Sequence, residues 1–325
     1  MSKYLVTGAA GFIGRRVTEM LCAEGHLVIG IDSLNDSYDV RMKTWRLEQL
    51  KQLQGFHFMH RDICDPQTFT ELTQHHPDVE GVIHLAARAG VRQAGEIPEV
   101  YLQTNANGTL NVLEWCRHSG VKKLVLASTS SIYGANPPLP TTEEADSSHP
   151  LQIYAASKKA AEAMAFVYHH LYGLDVTVFR FFTVYGPAGR PDMVMFRFTQ
   201  WVAEGKQVKV TGDGNQMRGF TYVDDIARGV IAGLQPLGYE IINLGGHETI
   251  TINELLAMIE KQLGRQALIE YIPRHPADVD ANWANVDKAR KMLGWEPRVE
   301  LAEGVPALVD WYQQNRFWAS QILTP

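Results

Sequence analysis

The chain has 325 residues, 45% hydrophobic and 20% charged, with a formal net charge of -6. This is the size and composition of a globular protein of about two domains, able to build its core without a disulfide or metal staple. The acidic balance argues against general attraction to nucleic acid or anionic membrane, and no apolar run approaches the ~20 residues of a membrane span.

In chain order, Lys3 to Thr7 predicts a short apolar strand, followed by a glycine-rich turn and a helix from about Phe12 to Glu24. Because that strand begins at once, no cleavable signal peptide is expected. Leu27 to Ile31 predicts a second strand ending at Asp32. Residues 34–54 read as a loop and a helix, with the charged run in 41–51 taken as an exposed face. Phe56 to His60, Val82 to Leu85 and Lys123 to Ala127 are further strands, with helices near 66–75 and 98–119. After Pro150 come a helix over Tyr154 to Tyr172 and the strand Asp175 to Phe181. Beyond Gly186 the texture changes: an irregular Pro/Gly stretch, a helix over 194–204, and a polar, glycine-rich segment over 206–218. Ile241 to Leu244 reads as one more sheet strand, Ile252 to Leu263 as a helix, and 302–315 as the last helix. Strand–helix alternation of this kind predicts an α/β fold, a doubly wound parallel sheet of Rossmann type with a smaller C-terminal cap. The division is 1–186 for the sheet domain, with a segment returning near 222–248, and 187–325 mostly for the cap.

Cys22, Cys64 and Cys116 lie far apart without a CxxC pair, which suits a reducing, cytoplasmic setting. The neighbours in His75-His76 and His169-His170 point to different helix faces, so no metal site is expected; His84 reads as core.

Tyr4 to Gly14 joins the first strand to the first helix with glycines at 8, 11 and 14. Glycine is needed where the chain turns tightly and where a pyrophosphate approaches the backbone, and free N–H groups at the helix start then hold the phosphates. Asp32, at the end of the second strand, can accept bonds from ribose hydroxyls and would repel a 2′-phosphate, which favours NAD over NADP. Asp62 stands at the end of the third strand, a candidate adenine contact.

Tyr154 and Lys158 form a YxxxK pair one helical turn apart. A lysine ammonium there is expected to lower the tyrosine pKa, leaving a phenolate able to take a proton from a sugar hydroxyl. Ser128 to Ser131 place hydroxyls at the carboxyl end of a strand, where ligands bind in such sheets.

With these motifs in view, the chain resembles the extended short-chain dehydrogenase/reductases that act on nucleotide sugars. The landmarks are TGAAGFIG (7–14), HLAA (84–87), YAASK (154–158), RFFTVYGP (180–187) and RGFTYVDDIARG (218–229), spread from Lys3 to about Gly304. The resemblance implies a catalytic triad of Thr129, Tyr154 and Lys158. Thr129 enters because it lies four residues before the tyrosine of Tyr133-Gly134. Implied NAD contacts are Gly8, Gly11, Phe12, Ile13, Gly14, Asp32, Asp62, Ile63, Leu85, Ala86, Ala87 and Asn105, together with Tyr154 and Lys158. The helices at 98–119 and 154–172 are implied as a homodimer face.

Dehydratases of the family carry an Asp-Glu pair after the triad threonine, and its decarboxylases a Glu. Ser130 and Ser131 stand there instead, which points to epimerisation at C4 of a UDP-sugar. Thr183, the Gly189–Met193 stretch, AGVR (89–92) and DSLNDSYDVRMK (32–43) resemble the members acting on UDP-glucuronate. Hydroxyls of Thr129, Ser130, Ser131 and Thr183 could hold the carboxylate of the 4-keto sugar against loss of CO2. Arg190, Arg218 and Arg274 are candidates for the UDP diphosphate, with Arg88 a weaker one, because a guanidinium fork matches phosphate oxygens. The chain departs from the family pattern in the cap, at Gly219, at Pro276 to Val279 and at Ala284-Asn285. A UDP-glucose or UDP-N-acetylhexosamine 4-epimerase remains open, as does a non-catalytic NAD-binding regulatory protein.

Overall fold

The computed structural model describes residues 1–90, 93–246, 248–274 and 279–325. Strands β1 (Lys3–Thr7), β2 (Leu27–Asp32), β3 (Phe56–His60), β4 (Gly81–His84), β5 (Lys123–Thr129) and β6 (Asp175–Phe181) alternate with helices. These are α1 (Phe12–Ala23), α2 (Val40–Leu50), α3 (Pro66–His75), α4 (Pro98–Leu102), α5 (Gly108–Ser119) and α6 (Ile153–Tyr172). Then come β7 (Thr183–Tyr185), α7 (Val194–Glu204), β8 (Gln207–Thr211), β9 (Met217–Tyr222), α8 (Val223–Ala232), β10 (Tyr239–Leu244) and β11 (Thr249–Thr251). The chain ends with α9 (Ile252–Leu263), β12 (Leu268–Ile272), β13 (Ala281–Asn282), α10 (Asp287–Leu293), α11 (Leu301–Gln314) and α12 (Arg316–Ala319).

The main sheet has the order β10-β6-β5-β4-β1-β2-β3 and every pair is parallel. Both faces are covered, so strands such as β5 are buried along their whole length, which is why they read as unbroken apolar runs. Successive residues serve opposite cores: Leu5 and Val82 pack on one face, Val6 and Ile83 on the other. The chain winds outward in both directions from the β1–β4 pair, so a crevice opens at the carboxyl ends of these strands. His84 is buried between the Thr7 and Thr109 hydroxyls (2.6 and 3.0 Å), and burial lowers its pKa to about 3, so it is a neutral core residue.

Three local expectations are corrected. The charged run in α2 is exposed only in part: Arg41, Glu48 and Lys51 face out, whereas Lys43 and Arg46 are buried with Met42, Leu47 and Leu50. The helix over 98–119 is broken by a π-helical turn, Gln103–Asn107, ahead of Gly108, where a Cβ would lie 2.6 Å from Ile63 Cδ1. The polar segment 206–218 contains β8 and the start of β9; Val208 and Val210 point inward while Gln207 and Lys209 face out. β8 pairs with β12, and β9 pairs with β7, β11 and β13. Thus β7 already belongs to the cap, whereas α8 and β10 return to the main layer. The cap has its own core around Phe198, Leu255, Ile259 and Val305. No helix among the described residues is long and apolar enough to cross a membrane.

Candidate active site

A cleft of about 810 Å³ runs between the carboxyl edge of the sheet and the cap. At one end lies the β1–α1 turn. Gly8 has φ +72°, and a Cβ on Gly14 would sit 2.1 Å from the Gly8 carbonyl oxygen, so both positions demand glycine. Gly11 caps α1 with no side-chain bond, leaving first-turn N–H groups toward the cleft. The Asp32 carboxylate accepts from Ala10 N (3.1 Å) and Leu34 N (2.8 Å), bracing the turn that it follows in space. Buried Arg46 braces it from outside, donating to the carbonyls of Ala10, Ala188 and Gly189 and to the Tyr38 hydroxyl. Gly8, Gly11, Phe12, Ile13, Gly14, Asp32, Asp62, Ile63, Leu85, Ala86 and Ala87 all line this end.

Asn105 does not line the cleft. It is fully buried in the π-helical turn, accepting from Arg88 N (2.8 Å) and donating to Arg88 O and Ser157 Oγ (2.9 Å each). It therefore fixes the chain after β4 against α6. Arg88 is also absent from the lining and pairs with Asp36 (3.2 Å).

Mid-cleft, Thr129 ends β5 in an extended conformation and accepts from Ser131 N (3.2 Å). Tyr154 stands in the first turn of α6, with Lys158 one turn on. Burial raises the Tyr154 pKa, and Thr129 and Arg190 pull against it. The Tyr154 hydroxyl thus stands above its ordinary pKa rather than below it as expected, because desolvation outweighs the opposing groups. Burial also pushes Lys158 down to about 8, with Glu162 opposing. Lys158 is 2% exposed, and no protein acceptor among the described residues meets its buried ammonium. A buried cation with three unused donors, facing a cleft that starts at a glycine turn, fits the ribose hydroxyls of NAD.

Behind the triad lies a buried network that the sequence reading missed. Glu162, one turn beyond Lys158, accepts from Ser128 Oγ (2.6 Å) and takes two bonds from Arg180 of β6 (3.0 and 2.8 Å). Arg180 also donates to Tyr133 Oη (3.0 Å), and Tyr133 to Asn243 Oδ1 (2.7 Å). Lys43, likewise missed, is buried at the turn end, donates to Asn35 O and Oδ1 (2.8 and 2.7 Å), and is lowered by burial to about 8. The apolar period Met42, Leu47, Leu50 was the available signal for that buried face.

Ser130, Ser131, Thr183 and Arg218 also line the cleft, as does Arg190, which lies over the Tyr38 ring toward the turn end. Asp32, Asp62 and Asp192 are the side-chain carboxylates lining the cleft among the described residues, and Asp192 is bound by Arg190 (3.1 and 2.5 Å). Arg190 also donates to Ala89 O (3.1 Å). Arg218 donates to the carbonyls of Met217 and Val279 (2.8 Å each). Arg274 is not in the lining; it pairs with exposed Asp280 (2.5 Å) outside. Val91, Arg92 and Pro276 to Asp278, singled out from the sequence, lie outside the described residues.

The family model "NAD dependent epimerase/dehydratase family" matches residues 4–245. A UDP-glucuronate 4-epimerase of Thermodesulfobacterium geofontis is 53% identical over 316 residues, 97% of each chain. Among solved structures, a UDP-glucuronic acid 4-epimerase of Bacillus cereus in complex with UDP-glucuronic acid and NAD superimposes with TM-score 0.91 at 35% identity, over 96% of this chain and 99% of that one. A UDP-glucose 4-epimerase of Thermotoga maritima with UDP-glucose gives 0.90 at 32% identity, over 97% and 99%.

Proposed function

The chain belongs to the NAD-dependent epimerase/dehydratase family, and we propose that within it the chain inverts C4 of UDP-glucuronate to give UDP-galacturonate. One observation carries this reading. The hydroxyls of Thr129, Ser130, Ser131 and Thr183 line the cleft together with Tyr154 and Lys158, and the Asp192 carboxylate that also lines it is neutralised by Arg190. An acid able to expel a hydroxyl is therefore missing from that set among the described residues, while donors for a sugar carboxylate abound. The 53% identity to a UDP-glucuronate 4-epimerase supports the same choice.

Gly8, Gly11, the first turn of α1, Asp32 and Lys158 would hold NAD, which supplies a hydride acceptor for C4 that is restored within each turnover. Tyr154 takes the proton of the 4-hydroxyl, and Thr129 orients that hydroxyl and the Tyr154 oxygen toward each other. Lys158, while protonated, stabilises the phenolate of Tyr154. When the 4-keto sugar presents its other face, Tyr154 returns the proton to the new alcohol. Ser130, Ser131 and Thr183 hold the carboxylate so that its C–C bond stays out of line with the ketone π system, which suppresses loss of CO2. Arg190 and Arg218 stand nearest to the task of holding the diphosphate. The cofactor domain is 1–182, ending before cap strand β7, with the segment returning near 222–248, and the remainder binds the nucleotide.

The test is proton NMR of the purified protein with UDP-glucuronate, then UDP-glucose. Conversion of UDP-glucuronate alone is expected; conversion of UDP-glucose instead would overturn the uronate reading, and no conversion of either would favour a binding protein. Leu102, Leu110, Phe166, Val167 and Leu171 leave exposed apolar area on α4–α6, which supports a homodimer through this face. Sedimentation equilibrium of Leu171→Asp should then give monomers. The three unpaired thiols suit a cytoplasmic protein.

A further inference from the structure

We infer that Asn282 is a specificity-determining positioning residue, which fixes the Ser130 hydroxyl as a donor toward the sugar carboxylate and so favours a uronate over a neutral hexose. This rests on the proposed uronate reading and adds to it a residue from the cap. Asn282 Nδ2 donates to Ser130 Oγ at 3.1 Å, across 152 residues of chain and from the opposite wall of the cleft. A serine hydroxyl has one proton. With an oxygen lone pair engaged by Asn282, that proton is free for the cleft, into which Ser130 faces. A carboxylate offers acceptors alone and gains a charge-assisted bond from such a donor. A hydroxymethyl group can donate or accept, so it gains less from the fixed polarity.

The placement of Asn282 is built, not incidental. It lies in β13, opposite Arg218 of β9 in parallel register. The strap that carries it is tied on both sides: Met217 N donates to Asp280 O (2.9 Å), Thr141 N to Trp283 O (3.0 Å), and Asn285 N to Thr141 O (2.8 Å). Asn282 thereby joins the cap strand bearing Arg218 to the loop that follows Thr129. The same short strand meets the proposed diphosphate end and the sugar end of the substrate.

Asn282→Asp reverses the polarity. An aspartate can only accept, so it takes the Ser130 proton and sets a negative charge near the sugar carboxylate. Asn282→Ala removes the partner and leaves Ser130 free to rotate. The affinities of the NAD-loaded protein for UDP-glucuronate, UDP-glucose and UDP would be measured by calorimetry. UDP-glucuronate should weaken about 30-fold in the Asp variant and about fivefold in the Ala variant, whereas UDP and UDP-glucose shift by less than about twofold. Equal weakening of all three ligands would overturn the inference, because Asn282 would then merely hold the strap. Unchanged UDP-glucuronate affinity in both variants would also overturn it. A wild-type protein that converts UDP-glucose and not UDP-glucuronate would instead remove the reading beneath it, and the inference with that reading.

Discussion

On the sheet side of the cleft, Thr129, Tyr154 and Lys158 stand on elements locked by buried groups: Glu162 ties β5, β6 and α6 together through Ser128 and Arg180. On the cap side, the side chains come from short strands at the edges of small sheets. Arg218 is held by carbonyls of a neighbouring strap, and Arg274 by an exposed aspartate. The sheet side is fixed before any ligand arrives and stores an unfavourable state there, a buried ammonium without a protein acceptor. The cap side keeps its cations satisfied by the protein itself. Chemistry demands placement to fractions of an ångström, and the packed sheet supplies it; nucleotide recognition spreads over several weaker contacts.

Tyr154→Phe tests this contrast most strongly. It removes one oxygen and should cut epimerisation about 10³-fold, roughly 4 kcal/mol, with NAD retention and the thermal midpoint close to wild type. Unaltered turnover measured by NMR would mean that Tyr154 does not carry the proton and that the braced side is not the reacting side.

Glu162→Gln comes next. It leaves Arg180 buried beside a neutral group and should cost about 3 kcal/mol in urea unfolding. It also removes the carboxylate that raises the Lys158 pKa against burial, so that pKa falls below about 8. Lys158 acts while protonated, and the protonated form is lost as pH rises through its pKa. The alkaline limb of the kcat profile should therefore move to lower pH. A purely structural Glu162 would lower stability and leave that limb in place.

The two sides also differ in how far they can be read from the chain. Strands β1, β2, β4 and β5 are short, mostly apolar runs, β1 followed by Gly8 and β2 ended by Asp32, so the turn at Gly8 was visible at once, as was the Tyr154–Lys158 spacing. Buried Arg46 and Lys43 were not, because a cation in a helix reads as a solvated residue until the carbonyls that satisfy it are known. β8 pairs with β12 some sixty residues later, and its alternation of Val208 and Val210 with polar residues is too short to stand out. Asn282 escaped notice because a two-residue strand has no period at all, and its partner Ser130 is remote in sequence.

The smallest effect is expected at Arg274. Its side chain is 44% exposed and that of Asp280 83%, so water screens the pair and the attraction should be worth well under about 1 kcal/mol. Arg274→Ala should then change stability by less than about 0.5 kcal/mol and the KM for UDP-glucuronate by less than about twofold. Arg218→Ala, which removes a cation lining the cleft, should raise KM about tenfold or more with little change in kcat. Steady-state kinetics of the two variants separate two pictures of the cap. If Arg274→Ala raises KM as much as Arg218→Ala does, Arg274 must leave Asp280 and turn inward once the nucleotide binds. The cap would then assemble around its ligand, and the contrast with the pre-set sheet side would be sharper still.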